Sequence, residues 1–403
     1  MKLNYRRIGD YIRLVDERNR DLKVTTLLGL TIDKVFIPSV ANTIETDMAN
    51  YKIIRKGQFA CSLMQVRRDK KMPAALLEKY DEAIVSPAYP VFEIADKESL
   101  LPEYLMMWMS RPEFDRHACF LAVGGVRGSL EWVDFCGMEL PVPSIEKQRE
   151  IVREYNVVTD RIKLNERMNQ KLEETAQAIY KQWFVDFEFP MAKEYAASIG
   201  KPELEGQAYK SSGGEMVFCK ELDKEIPKEW TAARLGEIAT ASAGGDKPQK
   251  FSDFPTKECS IPIYSNGVYD EGLFGFTDKA KVKENCITIS ARGGIGFTAL
   301  RLNPFVPIVR LIVLKPKKEN FLNYLFETAR RFQYQNGMAS AQSQLTVPDI
   351  SSYWLVKPDL STVSQYQSLT SSLYKILHIK KRHGLFFNAL LSVLNSKMVK
   401  AAA

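Results

Sequence analysis

The sequence is poor in the residues most catalysts depend on. Its 403 residues include only three histidines, His117, His378 and His383, so a catalytic triad or a metal cluster has little to draw on. Six cysteines, Cys61, Cys119, Cys136, Cys219, Cys259 and Cys286, form no C-x-x-C pair, which argues against a zinc ribbon. Reduced, mostly buried thiols in a cytoplasmic protein are expected. No run approaches the roughly 18 apolar residues of a membrane helix. The opening MKLNYRRIGDYIRL lacks the apolar core of a signal peptide. There is no G-x-x-x-x-G-K-[ST] phosphate loop, and no Asn/Asp-Pro-Pro-aromatic tetrapeptide of the amino-methyltransferase kind. The stretch 294–299 (GIGFTA) imitates a dinucleotide fingerprint. It runs on into Arg301-Leu302-Asn303-Pro304 and a further strand, not a helix and an acid, so no nucleotide site is expected.

What is present begins with size. At about 150 residues per domain, two or three domains are expected. Apolar content of 45% is enough to bury real cores. The net charge of +7, from 56 Lys+Arg against 49 Asp+Glu, permits a polyanionic partner without demanding one.

The chain repeats itself. GGVRGSLEWVDFCGMELPVPS followed by IEKQREI closes one half, and GMASAQSQLTVPDISSYWLVKPDLS followed by VSQYQSL closes the other. One offset superposes Leu130 on Leu345, Leu140 on Leu355 and Pro143 on Pro358. Each copy reads as a glycine-containing polar loop, an alternating apolar run, a proline and a long helix. Ser144 and Ser361 are candidate N-caps. The openings echo each other too, from Tyr5 to Ile12 and from Ala233 to Ala239. Strands are expected at 62–66, 83–86, 286–290 and 308–314, and helices at 101–110 and 320–331.

Both long helices carry heptads. The first seam reads Ile151, Tyr155, Val158, Ile162, Asn165, Asn169, Leu172, Ala176, Ile179 and Trp183. The second reads Tyr366, Leu369, Leu373, Ile376, Lys380, His383, Phe387, Leu390 and Leu394. Steps of three and four over about four heptads define a coiled-coil seam in each. Such a helix rises roughly 50 Å. Both seams are polar at mid-length. In an antiparallel pair Asn165 and Asn169 would meet Lys380 and His383 and fix the register, unless these groups point to solvent. The segment 190–230, with GKP and SSGG, reads as a mostly extended connection.

Several loops suit a nucleic acid. Residues 242–250 (SAGGDKPQK) join glycines to Lys247 and Lys250, for phosphate contact through backbone N–H groups and charge. Arg292 stands between small residues in SARGG. Ser340, Gln342 and Gln344 lie in an amide- and hydroxyl-rich loop able to pair with base edges. Ser265 and Asn266 join this set. The first half offers Arg67, Arg68, Lys70 and Lys71, then Arg127 and Ser129 in VGGVRGS. A solvated turn explains each loop alone; their recurrence at equivalent points favours a contact surface.

Two bodies, each followed by a proline and a glutamine-bearing helix start, resemble the specificity subunits of Type I restriction–modification systems. The segment KLEETAQAIYKQWFVDF (171–187) is similar to that family's central stem end. KSSGGEM, IPKEW, ISARG and QSQL resemble its second recognition domain. The resemblance spans nearly the whole chain and is weakest over 1–120. It implies an α+β fold: two mixed α/β target-recognition domains separated by an antiparallel two-helix coiled-coil stem. The expected division is 1–143 and 230–358 for the recognition domains, 144–187 and 359–400 for the stem helices, and 188–229 for the connector. It further implies a non-catalytic chain that reads a bipartite, asymmetric site on double-stranded DNA. Two methyltransferase subunits would supply S-adenosylmethionine chemistry on adenine N6, and restriction subunits would supply ATP- and Mg2+-dependent translocation and cleavage. A stem of roughly 50 Å suits half-sites about one helical turn, or roughly 35 Å, apart. The alternatives are a stand-alone DNA methyltransferase, which the missing tetrapeptide argues against, and a coiled-coil scaffold or antirestriction protein without base readout.

Overall fold

The computed structural model describes residues 5–39, 47–64, 66–122, 128–334 and 344–400, without the side chains of 399 and 400. The chain divides into two compact units, Met1–Asn165 with His383–Ala403, and Glu166–Arg382. Both are mixed α/β bodies closed by helices, and the fold is of the α+β class.

The internal repeat is one of topology. In the first unit, Tyr5–Arg7 pairs antiparallel with Glu139–Pro141, the strand just before the long helix Ile145–Phe184. In the second, Thr231–Arg234 pairs antiparallel with Trp354–Lys357, just before the long helix Leu360–Lys400. Each opening strand leads into a short helix, Ile8–Asp10 or Leu235–Ile238. A glycine there permits close approach. A Cβ on Gly9 would lie 2.8 Å from Cys136 Cβ, and one on Gly236 would lie 3.2 Å from Ser351 Cβ.

Next comes an antiparallel four-stranded sheet with the same order in both units. It runs Ile12–Val15, Val91–Ile94, Phe59–Cys61, Ala74–Leu76 in the first. In the second it runs Ala239–Ala243, Ile312–Pro316, Cys286–Ile289, Thr298–Arg301. The central strands are buried on both faces, which is why they read as apolar runs rather than alternating ones. The helices Pro102–Met109 and Leu322–Ala329 close the cores in equivalent places.

Two expected strands differ. The described residues of the 62–66 run, 62–64 and Val66, form no strand, since Phe59–Cys61 ends before them. The 308–314 run is split into Val306–Pro307 and Ile312–Pro316 by Val309 and Arg310, whose φ angles are +52° and +60°.

Each long helix carries its partner's buried stripe, unit by unit. In the first unit, Lys397 bonds Glu154 at 2.7 Å, and Met398 shares a core with Ile151 and Val152. In the second, Tyr366 meets Trp183 with ring centroids 5.8 Å apart, and Lys380 reaches Met168 Sδ at 3.5 Å. Residue numbers rise on one helix as they fall on the other, so the pair is antiparallel. The first helix keeps its expected seam: Ile151, Val158, Asn165, Ala176 and Trp183 are buried. The second keeps it at Tyr366 and Leu394, both buried, and departs from it between them. Leu369 and Ile376 are 51% and 42% exposed, while Thr370, Tyr374 and Leu377 are buried. The seam here runs one residue on from the leucine and isoleucine frame. Thr370 occupies it because its hydroxyl accepts from Asn323 Nδ2 at 2.9 Å and donates to Tyr366 O at 2.7 Å. His383 is consequently exposed, with its ring 6.3 Å from that of Phe387.

Both helix starts hold the body above them with a glutamine. Gln148, fully buried, accepts from Leu101 N at 3.0 Å and donates to Ser99 O and Pro143 O at 3.0 and 2.9 Å. Gln367 accepts from Asn323 N at 3.0 Å. Asp359, not Ser361, caps the second helix, accepting from Thr362 N at 2.9 Å. The 190–230 segment is also more structured than its composition indicates. It holds the helix Lys193–Ser198 and the hairpin Met216–Cys219/Lys224–Pro227. Phe189 stacks between Tyr209 and Trp230, at 4.7 and 4.6 Å, inside the core of the second unit.

Candidate nucleic-acid interface

In each unit one loop leaves the end of an inner strand and is clamped by the loop that precedes the closing strand. Leu130 N donates to Leu63 O at 2.9 Å in the first unit. Leu345 N donates to Ala291 O at 3.0 Å in the second. Leu63 and Ala291 each stand two residues beyond their strand, Phe59–Cys61 and Cys286–Ile289. The same joint therefore brings together the loops that the sequence marks as polar and basic.

In the second unit Asn266 is the centre of this arrangement. Its Nδ2 donates to Val309 O at 2.6 Å, and its Oδ1 accepts from Ala291 N at 2.7 Å. The 242–250 loop joins them: Gly244 N donates to Leu311 O at 2.8 Å, and Val309 N to Gly245 O at 2.8 Å. Asn266 thus ties the 290–294 loop to the Val309–Arg310 turn, and backbone bonds tie that turn to the glycine loop. Arg292 is exposed and donates from Nε to Gln344 Oε1 at 3.0 Å. Lys247 lies 3.3 Å above the Phe251 ring. Lys250 pairs with Glu258 at 3.0 Å, and that carboxylate holds its ammonium above the ordinary range. Ser265, partly exposed, donates its backbone N–H to Gly272 O at 2.8 Å.

Behind these loops sits a charge network that the sequence did not disclose. Glu271 bonds Arg301 at 3.2 Å and Lys381 at 2.7 Å. Arg301 is 4% exposed and lies 3.6 Å over the Tyr264 ring. Burial alone would raise the Glu271 carboxyl, but Lys381 and Arg301 outweigh it and hold it below its usual range. Burial likewise works against the Arg301 charge.

In the first unit Arg67 and Arg68 are exposed on the helical turn Val66–Asp69, and Arg67 N donates to Gly128 O at 3.1 Å. Arg68 pairs with Asp69 at 2.7 Å and Lys71 with Asp33 at 3.1 Å. Lys70 has φ +55°. Together with Lys34 and Arg116, Lys70 and Lys71 line an open basin of about 400 Å³. Lys34, unforeseen in the sequence, pairs with Asp115 at 2.8 Å; burial nonetheless lowers its ammonium from the ordinary range. Ser129 is partly exposed beside the clamp. Arg127, Ser340 and Gln342 lie outside the described residues. On the stem, Asn165 is buried beside Gly384, Asn169 is partly buried and Lys380 contacts Met168. Among the described residues no His, Cys, Asp and Glu side chains gather as metal ligands, and no helix is long and apolar enough to cross a membrane.

Comparison with known proteins supplies the class. Residues 227–382 match the Type I restriction modification DNA specificity domain. The specificity subunit of the MjaIX Type I restriction enzyme of Methanocaldococcus jannaschii is 25% identical over 309 residues, covering 72% of this chain and 66% of that protein. A putative Type I specificity subunit of Mycoplasma pneumoniae is 34% identical over 142 residues, covering 35% of this chain and 42% of that protein. The chain thus spans less than two thirds of the length of either relative. A crystal structure of the S subunit of a Type I restriction–modification system from M. genitalium shares the fold, with TM-score 0.61, 12% identity, and coverage of 100% of this chain and 96% of that one. The chain is therefore similar to the specificity subunits of Type I restriction–modification systems, and the match to the family's DNA specificity domain lies at residues 227–382.

Proposed function

We propose that this chain is the DNA-reading, non-catalytic subunit of a Type I restriction–modification complex. Residues 1–143 and 230–358 are its two recognition domains, each addressing one half of a bipartite, asymmetric duplex site. Residues 144–187 and 359–400 form the stem that sets the unspecified spacer, and 188–229 connect the two. The cations and amides at the clamped loops contact phosphates and base edges. Two methyltransferase subunits bring S-adenosylmethionine and flip the target adenine. Restriction subunits bring ATP and Mg2+. The complex works in the cytoplasm, where its DNA is.

The observation that supports this best is the repeated clamp, Leu130 to Leu63 and Leu345 to Ala291, which sets basic and amide-bearing loops at the same point of two equivalent bodies. The test is reconstitution with labelled S-adenosylmethionine and DNA. Methyl transfer is expected only when this chain and the methyltransferase subunits are combined. Transfer by the purified chain alone would overturn the assignment.

A further inference from the structure

Val309 and Arg310 are the two central residues of a tight turn, closed by Leu311 N donating to Ile308 O at 3.0 Å. Their φ angles, +52° and +60°, follow the type I′ pattern. That pattern selects Asn-Gly or Asp-Gly, because a Cβ at positive φ crowds the backbone. A β-branched valine is among the least suited residues for it. The turn is nonetheless fixed on several sides. Val309 N donates to Gly245 O at 2.8 Å, Arg310 N to Gly244 O at 3.2 Å, and Asn266 Nδ2 to Val309 O at 2.6 Å. A Cβ on Gly244 would lie 2.8 Å from the Pro307 carbonyl carbon, so the glycine loop is what permits this approach. Backbone strain over-determined by its surroundings is characteristic of sites that must aim a group.

The group aimed here is a guanidinium. Arg310 is exposed, and its side chain makes no hydrogen bond or ion pair with the described residues. The neighbouring cations are engaged: Lys247 over Phe251 at 3.3 Å, Lys250 with Glu258 at 3.0 Å, Arg292 on Gln344 at 3.0 Å. Among the described residues Arg310 keeps its planar fork of N–H donors unspent, and that fork matches the O6 and N7 acceptors of guanine in the major groove. We propose that Arg310 reads a guanine in the half-site addressed by residues 230–358, and that the strained turn is what points it there. This rests on the DNA-reading function above.

The test maps methylated motifs in a host without other adenine methylation, expressing the chain with its methyltransferase subunits. Arg310→Ala is compared with Val309→Asn and with the double variant Val309→Asn/Arg310→Gly. Arg310→Ala and the double variant are expected to lose discrimination at one guanine of one half-site by roughly tenfold or more, leaving the other half-site and the spacer intact. Val309→Asn is expected to keep the full motif. Both asparagine variants are expected to raise the melting temperature by roughly 2 °C, because the strain is relieved. An unchanged motif with uniformly weaker methylation would overturn the proposal, since it marks a phosphate contact. A lower melting temperature for the double variant would also overturn it, since the turn would then require Val-Arg for folding. If the wild-type complex yields no bipartite motif, it is the DNA-reading function itself that fails.

Discussion

At the scale of single residues, Asn266 joins the candidate interface. One amide satisfies a carbonyl of the Val309–Arg310 turn and an N–H of the 290–294 loop. Asn266→Ala removes both bonds, a loss of about 2 kcal/mol. It is expected to weaken duplex binding by the complex roughly tenfold while leaving the far-ultraviolet circular dichroism unchanged. The sequence marks Asn266 as a candidate contact, and its two bonds also make it a support for the turn and loop beside it. Arg310 was not marked in the sequence. It sits in an apolar run that reads as strand, and nothing local announces positive φ at Val309. The cause is tertiary, in the glycine loop and in Asn266.

Glu271 carries a pH dependence whose sign follows from its surroundings. Its folded carboxyl titrates below its ordinary 4.5 because Lys381 and Arg301 more than offset burial. The unfolded chain therefore takes up the proton first. The stabilisation is complete well above pH 4.5 and is lost as pH falls through the folded value. Glu271→Gln is expected to lower stability at neutral pH and to flatten the acid limb below about pH 4.5, as read by chemical denaturation across pH. An acid limb as steep as that of the wild type would show that other carboxylates set it.

At the scale of elements, the two long helices were legible as helices; the first seam was legible in register and the second only at Tyr366 and Leu394. The first helix offers a clean choice between apolar and charged positions. The second offers leucine and isoleucine on two adjacent stripes, and the apolar frame chose the right one at Tyr366 and Leu394 but the wrong one at Leu369 and Ile376. Thr370 and Tyr374 hold the true stripe through bonds to Asn323 and Glu327 that hydrophobicity cannot reveal. Gly384 lies on that stripe, and a Cβ there would meet only Asn165 Nδ2, at an ordinary 3.6 Å. Gly384→Ala should therefore gain helix propensity without a clash, raising stability by about 0.5–1 kcal/mol. A decrease would mean that the glycine is needed for a closer approach in the assembled complex.

At the scale of the whole molecule, the repeat was visible because proline, leucine and glutamine recur at matching points. The shared sheet order was not, since the strands are short and their pairing is non-local. The aromatic core around Phe189, Tyr209 and Trp230 was likewise hidden in a segment whose Gly, Ser and Lys content reads as linker. The revised seam also leaves Leu369, Ile376 and Ile379 exposed on the C-terminal helix, at 51%, 42% and 51%. Exposed apolar residues aligned on one element suit a partner subunit. Under the proposed function, Ile376→Glu/Ile379→Glu is expected to abolish co-purification of the methyltransferase subunits while the chain stays folded. Retained co-purification would move the docking surface elsewhere.

The most direct measurement is the map of methylated adenines in DNA from cells carrying this chain with its methyltransferase subunits, against cells lacking the chain. The proposed function predicts a motif of two unlike half-sites flanking an unspecified gap of constant length, present only with the chain. A contiguous or palindromic motif, a gap of variable length, or methylation that persists without the chain would contradict it.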